Sequence, residues 1–210
     1  MRAPLGNAWI IRACALSTLL LTLAIGMPVT STAKARHKIG SLMLSSPDLQ
    51  VGKPFPKEFI LNGFGCTGEN ISPRLVWRGV PKDTKSFVIT LFDRDEHGTP
   101  SGWWHWVLYD IPATADRLEK NAGTEGSKAL PSGARQGRND DSRDAYAGPC
   151  PDEGDAPHHY IWTLYALSVA ILPVPAEASG ANVTYTAHQY TLGTAQLISL
   201  YGRVKTLHHR

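Results

Sequence analysis

The feature that most constrains the fold is a set of four short segments rich in aromatic and β-branched residues. Each segment is bounded by Gly, Pro, Asp or Asn, which is typical of β-strands. They are Phe59–Leu61, Lys85–Phe92, Trp103–Ile111 and Tyr160–Val169. Most of the connections lack helical periodicity and are full of Gly and Pro. The pattern therefore predicts a mainly β domain built from antiparallel sheets, rather than strands that alternate with helices.

One segment departs from this pattern, and we predict a helix over Ala178–Leu192. Residues there recur at helical spacing: Ala181, Tyr185, His188 and Leu192. Gly193 follows as a candidate C-cap, and Ala195–Tyr201 is predicted to be the last strand. The polar stretch Lys120–Ala145 is expected to be a long surface loop.

The N-terminal segment has the layout of a secretory signal. Arg2 and Arg12 precede the apolar stretch Ala13–Ile25, and small residues follow at 30–33. We predict a signal peptide over residues 1–33, with Ala35 as the second choice of cleavage position. The alternative is an uncleaved anchor, but the second half of the uncharged stretch is rich in Thr, Ser and Pro, whereas a spanning helix needs about 20 apolar residues. A polar tether over 34–41 and one domain over 42–210 complete the predicted organisation, and the location is predicted to be periplasmic or secreted.

Charge excludes one class of partner. The formal net charge of +3 falls to +1 when Arg2 and Arg12 leave with the signal peptide. That is too balanced for the basic surface that binds nucleic acid, so no nucleic-acid partner is expected. No stable membrane insertion is expected after cleavage.

Loss of the leader also leaves two of the three cysteines, Cys66 and Cys150. An even count in an oxidising compartment favours a disulfide. The alternative is a pair of buried free thiols. The chain has no C-x-x-C motif, so a zinc cage or a thioredoxin-like centre has no support.

Polar residues interrupt the apolar strands at a few positions. Asp93 ends one strand and Asp95 follows it, and alternation places both on the same side if the strand continues. His105 is expected to share a face with Trp103, Val107 and Tyr109. His158 is expected to share a face with Tyr160 and Trp162. Either histidine alone would be read as a hydrogen-bonded core residue, but together with Asp93 they predict an apolar pocket with convergent polar groups.

Three blocks of the chain resemble the phosphatidylethanolamine-binding protein family, and in particular its bacterial YbhB/YbcL branch. Gly65–Trp77 (GCTGENISPRLVW) is similar to the G-x-x-G-x-N-x-S-P-x-L-x-W pattern of that branch. Lys85–Ile111 resembles the central block, in which a D-P-D-A-P segment precedes a Trp/His strand. Tyr146–Leu167 resembles the block that ends in H-R-Y. The likeness covers nearly all of Leu42–Tyr201 in the right order.

The resemblance implies a large antiparallel β architecture with short peripheral helices, and a small cavity for phosphate-like or carboxylate-like anions. Asp93 and Asp95 match the two aspartates of D-P-D-A-P, and His105 matches the pocket histidine of the second block. His158 and Tyr160 match the His and Tyr of H-R-Y. Exported relatives of the YbcL type carry a bridge like the one predicted here between Cys66 and Cys150.

The chain departs from the family pattern beside this site. Arg94, Glu96 and His97 replace the non-aspartate residues of D-P-D-A-P, and His159 replaces the Arg of H-R-Y. The third block reads Pro151-Asp152-Glu153-Gly154, which adds acid at the mouth of the expected cavity.

These observations favour an exported binding or inhibitory protein that requires no cofactor and no metal. The expected ligand is a small anion or a phospholipid head group, with a protease or kinase-type protein outside the cytoplasm as a further partner. Because imidazole titrates near pH 6.5, His105 and His158 are expected to make the pocket cationic and to strengthen anion binding near pH 5.5–6.

The alternative is a hydrolase in which Asp93 orients His105 or His158 as a general base. A metal-assisted variant would use the same three side chains. The chain has no G-x-S-x-G elbow, and both remaining cysteines are assigned to the bridge, so no activated nucleophile is evident.

Overall fold

The computed structural model describes residues 41–205. The predicted signal peptide and all but the last residue of the predicted tether lie outside this range, so they stay predictions. Within it, no helix is long and apolar enough to span a membrane.

The described chain is mainly β and its strand pairs are antiparallel, which confirms the predicted fold class. The strands are β1 (Met43–Ser45), β2 (Asn62–Gly63), β3 (Cys66–Thr67), β4 (Leu75–Arg78), β5 (Ser86–Asp93), β6 (Trp103–Pro112), β7 (Arg117–Leu118), β8 (Arg135–Gln136), β9 (His158–Leu167) and β10 (Thr191–Tyr201). A 3-10 helix spans Lys57–Phe59, and the α-helix α1 spans Gly180–Tyr190.

A five-stranded sheet in the order β10-β9-β5-β6-β8 forms the centre of the fold. The larger hydrophobic core lies between this sheet and a three-stranded sheet, β1-β4-β7, and the edge-to-face pair Trp77–Phe87 joins the two. A smaller core lies on the opposite face, under α1. Strand β5 is buried on both faces, which explains why its sequence is a continuous apolar run without alternation.

The helix lies within the predicted range, but the residues that recur at helical spacing do not form its buried face. Tyr185 is 72% exposed, whereas Val183 and Ala187 are buried. The helix approaches the sheet closely at Gly180, where a Cβ would lie 2.4 Å from the Trp104 ring. Small residues therefore form the contact face, and the bulky residues at helical spacing point to solvent.

The predicted C-cap at Gly193 was also wrong, because α1 runs directly into β10. Thr191 is already extended, and its hydroxyl donates to the Ala187 carbonyl at 2.8 Å. This bond occupies a carbonyl at the helix end, so no left-handed glycine is needed. Gly193 instead lies at a register shift between β10 and β9.

Two other local predictions were wrong. Phe59–Leu61 is not a strand, since Phe59 ends the 3-10 helix that follows Pro56 and the next two residues lie outside any strand. The stretch 120–145 is not simply a surface loop. It contributes β8 to the central sheet and buries Asn139.

Candidate functional site

A cavity of about 240 Å³ opens where β5 ends and where β6 and β9 begin. One part of its wall is apolar and includes Leu61, Trp103 and the exposed ring of Phe64. The complete lining is Leu61, Phe64, Asp93, Glu96, Trp103, His105, Asp141, Gly148, Cys150, Pro151, Asp152 and Tyr160.

A β-bulge directs His105 toward this cavity. In the pairing of β5 with β6, Leu91 faces Trp106 and Phe92 faces Trp104, so His105 is the extra residue. Extra residues of this kind re-aim side chains. The prediction that His105 shares a face with Val107 and Tyr109 was therefore wrong: those two residues belong to the core under α1.

The environment of His105 fixes its chemical form. Its Nδ1 lies 3.0 Å from the Ala147 carbonyl, which can only accept, so Nδ1 carries the proton. Burial lowers the pKa of His105, although the charges of Asp93, Asp141 and Glu96 and the bond to Ala147 oppose this. The ring is thus neutral near pH 7, and Nε2 holds a lone pair.

Backbone bonds anchor the same residue from the other side. The Asn139 side-chain amide donates to the carbonyls of His105 and Ala145, at 3.3 and 3.0 Å. The Ala147 amide donates to the His105 carbonyl at 3.0 Å. The long polar stretch and the third block therefore position His105 together.

Asp93 lines the cavity and forms a buried pair with His158, which lies behind it. Asp93 Oδ2 accepts from His158 Nδ1 at 2.8 Å, and both side chains are at most 3% exposed. The His158 ring stacks on Tyr160, which confirms the predicted shared face of these two residues. Tyr160 in turn packs edge-to-face against His105, with ring centroids 5.3 Å apart.

The Tyr160 hydroxyl is buried and makes no hydrogen bond of ordinary geometry. Burial and the adjacent Asp93 carboxylate raise the pKa of Tyr160. The phenol consequently stays protonated at any working pH and remains a hydrogen-bond donor in the cavity wall.

Asp95 lies apart from this group. Its carboxylate accepts from the backbone N and from Nδ1 of His159, both at 2.7 Å, and it does not line the cavity. Desolvation opposes ionisation, but the two bonds from His159 and the charges of His159 and Arg94 outweigh it and lower the pKa of Asp95. Because β5 ends at Asp93, the alternation that would have placed both aspartates on one side does not continue.

The structure thus brings Asp93, His105, His158 and Tyr160 together, with His158 behind Asp93 rather than in the lining. Sequence reasoning missed Phe64 and Asp141 in the cavity wall. Asp141 lies in a self-neutralising polar stretch, and the bonds of Asn139 and Asp140 to the backbone of β6 bring that stretch to the cavity.

The electrostatic character of the cavity differs from the cationic pocket expected from the sequence. Its lining includes four carboxylates: Asp93, Glu96, Asp141 and Asp152. Among the lining residues His105 is the only base, and its pKa is lowered. The site is therefore acidic at neutral pH.

A disulfide between Cys66 and Cys150 joins β3 to the third block, and Cys150 lines the cavity. Arg203 reinforces this junction. Its guanidinium donates to the carbonyls of Gly65 and Pro151, both at 3.2 Å, and to Glu153 at 2.7 Å.

Two groups of side chains near the cavity have the composition of metal ligands. Asp93, Glu96 and His158 form one, and His97, Asp155 and His158 form the other. In each group the three ligand atoms lie within 4.8 Å of one another.

Comparison with known proteins agrees with the fold and the order of the blocks. The sequence profile of the family described as phosphatidylethanolamine-binding protein matches residues 45–202. UPF0098 protein YbcL of Escherichia coli is 38% identical over 186 residues, which cover 89% of this chain and 98% of YbcL. LppC of Mycobacterium tuberculosis, which is named as a lipoprotein, is 31% identical over 161 residues, or 76% of this chain and 72% of LppC.

The crystal structure of E. coli YbcL, described as a new member of the mammalian PEBP family, superposes with a TM-score of 0.75 at 41% identity. The match covers 77% of this chain and 98% of the YbcL chain.

Proposed function

The chain belongs to the phosphatidylethanolamine-binding protein family, and from this premise we propose that it is an exported binding protein for a zwitterionic phospho-head-group. One observation carries the proposal. A buried Tyr160 hydroxyl that makes no hydrogen bond of ordinary geometry lies beside Asp93 and His105 in a cavity that four carboxylates line. Such a site offers a donor for a phosphate oxygen and negative charge for an ammonium group.

The phosphate end of the ligand would meet Tyr160 and His105. Tyr160 can donate at any working pH, whereas His105 Nε2 can donate only after it is protonated. A bound phosphate favours the imidazolium, because an adjacent opposite charge stabilises the charged form. Binding should therefore take up a proton onto His105, and it should strengthen as the pH falls below about 6.5.

The carboxylates argue against a bare anion as the preferred ligand. Two unit charges 4 Å apart repel or attract by about 4 kcal/mol at the dielectric typical of a protein surface. Inorganic phosphate would meet repulsion from Glu96, Asp141 and Asp152 and has no positive charge of its own to offset it. An ammonium group on the same ligand converts part of it into attraction, so phosphoethanolamine should bind more tightly than phosphate.

Export is the second part of the proposal. The Cys66–Cys150 bridge favours an oxidising compartment, and the signal layout of residues 1–33 agrees with it. A relative named as a lipoprotein supports a location outside the cytoplasm. A protein partner in that compartment remains a prediction from the resemblance.

Calorimetric titration tests the head-group proposal directly. Phosphate, ethanolamine and phosphoethanolamine are each titrated at pH 5.5 and pH 8, in two buffers of different ionisation enthalpy so that proton uptake is counted. We expect phosphoethanolamine to bind most tightly and with uptake of a proton. His105→Gln should weaken it about tenfold at pH 5.5, the loss of one charge-assisted bond, and should flatten the pH dependence.

His159→Gln is the matched control, since His159 lies outside the cavity lining, and it should bind as the parent does. Equal affinities at the two pH values would remove His105 from binding. Tighter binding of phosphate than of phosphoethanolamine would remove the role given to the carboxylates.

A hydrolase remains the alternative function. The residues that line the cavity include no Ser, Thr or Lys, and their one cysteine is bridged. The nucleophile that best fits this lining is a water activated by His105. Turnover of a phosphoester that is lost in His105→Gln and retained in His159→Gln would favour this alternative over binding.

A further inference from the structure

His158 has one ring nitrogen whose role the buried pair does not explain. Nδ1 donates to Asp93, so in the neutral ring Nε2 carries a lone pair. That atom is buried and has no hydrogen-bond partner, and the side chain as a whole is 3% exposed. Buried polar atoms without partners are rare in proteins, and an unplaced ion is one of their explanations.

The side chains that face Nε2 are both of metal-ligand type, and neither makes a hydrogen bond to it. Asp155 Oδ2 lies 3.6 Å away, which is too long for a hydrogen bond. The His97 ring packs edge-to-face against His158, with centroids 5.7 Å apart. In this arrangement a protonated His158 would be stabilised by the Asp155 carboxylate and meets His97 only as a ring contact, whereas a cation can use all three side chains.

We propose that His97, Asp155 and His158 bind one divalent transition-metal ion of the zinc class, with a water or an exogenous ligand completing the coordination. Nitrogen and carboxylate donors suit Zn²⁺, Co²⁺ or Cu²⁺ better than Mg²⁺ or Ca²⁺. Zinc bonds of about 2.0–2.1 Å place tetrahedral ligand atoms about 3.4 Å apart. The three ligand atoms, which lie within 4.8 Å of one another, need only a small closure to reach this.

The surroundings have the two features that such a site requires. Asp93 holds the far nitrogen of His158, the carboxylate–histidine–metal arrangement that fixes the tautomer and orients the ring. His97 is exposed and Asp155 is one-third exposed, so an ion can enter from solvent. The ion would also join the segment after β5 to the segment before β9, and each of these segments contributes an acidic residue to the cavity lining.

The competing group of Asp93, Glu96 and His158 is less suited to this role. There His158 would have to use Nδ1, which Asp93 already occupies, or turn its ring out of the stack on Tyr160. The substitution Glu96→Gln separates the two possibilities, because only the competing group contains Glu96.

The test measures Zn²⁺ affinity by competition with a chromogenic chelator, on the full chain carrying His208→Ser and His209→Ser so that the C-terminal histidines do not contribute. We expect one ion per chain. His97→Ala and Asp155→Asn should each lower the affinity about 100-fold, since even outer-shell partners account for about 10–100-fold. Both residues lie outside the buried core, so these variants should fold. His159→Gln is the control and should bind as the parent does, whereas Glu96→Gln, which removes a carboxylate near His158, should lower the affinity far less than Asp155→Asn does.

Two further readouts make the result decisive. Co²⁺ should give the intense visible absorption of a four- or five-coordinate site in the parent and not in His97→Ala. Zn²⁺ should also raise the Tm of the parent in a concentration-dependent way. Unchanged affinity in His97→Ala, or a loss in Glu96→Gln equal to the loss in Asp155→Asn, would overturn the proposal.

Discussion

Two aspartate–histidine pairs lie next to each other in this protein and differ almost only in their surroundings. Asp93–His158 and Asp95–His159 have closest contacts of 2.8 and 2.7 Å. The side chains of the first pair are 1% and 3% exposed, and those of the second are 31% and 41% exposed. Because successive residues of a strand point to opposite faces, one step along β9 separates the core from solvent.

The comparison shows how burial changes the consequence of the same contact. Exposed ion pairs contribute about 0–1 kcal/mol, because water screens the charges and the side chains lose entropy. Breaking a buried pair costs about 3–5 kcal/mol, because the remaining partner keeps its desolvation penalty. The buried pair also contributes Asp93 to the cavity lining and stacks on Tyr160, whereas the exposed pair does not line the cavity.

The largest expected effect comes from removing each carboxylate in turn. Asp93→Ala should lower the free energy of unfolding by about 3 kcal/mol, since it leaves His158 Nδ1 buried without an acceptor. Asp95→Ala should lower it by about 1 kcal/mol or less. Urea denaturation at pH 7 measures both values. Similar costs for the two variants would show that repulsion among Asp93, Glu96 and Asp141 offsets the buried bond, and that the pair is retained for binding.

Removing the disulfide should reduce the difference in stability cost between the Asp93 and Asp95 substitutions. Cys66→Ala combined with Cys150→Ala should lower stability by about 2–4 kcal/mol, since the bridge closes a long loop. Cys150 lines the cavity, so the wall beside Asp93 should also loosen. In that background the cost of Asp93→Ala should fall toward the cost of Asp95→Ala, and a double-mutant cycle measures the difference. Additive costs would mean that the bridge and the buried pair are independent.

The long strands could be predicted from the sequence, whereas the short strands could not. Lys85–Phe92 was predicted and β5 spans Ser86–Asp93, because a continuous apolar run has few other stable arrangements. The sheet β1-β4-β7 was not predicted. Its strands are two to four residues long, too short to show a period of two.

The candidate site, like the fold, could be predicted from the sequence only in part. Asp93 and Tyr160 are register partners on β5 and β9, so strand ends rich in polar residues indicated them. The direction of His105 depends on a bulge, which only the pairing of β5 with β6 reveals. Asp141 reaches the cavity through a long connection, and no local pattern in the sequence encodes that path.

The smallest expected effect concerns His105, a third histidine that is buried like His158 but bonded to a carbonyl instead of a carboxylate. Burial lowers the pKa of His105, so the folded protein keeps the ring neutral where the unfolded chain, titrating near pH 6.5, takes up a proton. The unfolded state then binds more protons, and stability falls as the pH drops below about 6.5 until the folded-state pKa is reached. One such group contributes at most about 1.4 kcal/mol per pH unit.

Between pH 7.5 and 5.5 the parent should therefore lose about 1 kcal/mol more stability than His105→Gln does, as measured by urea denaturation. The exposed His159 gives the comparison its control, because His159→Gln should keep the difference that His105→Gln removes. Parallel pH profiles for the parent and His105→Gln would mean that folding does not lower the pKa of His105, so that the free cavity would gain positive charge as the pH falls through about 6.5.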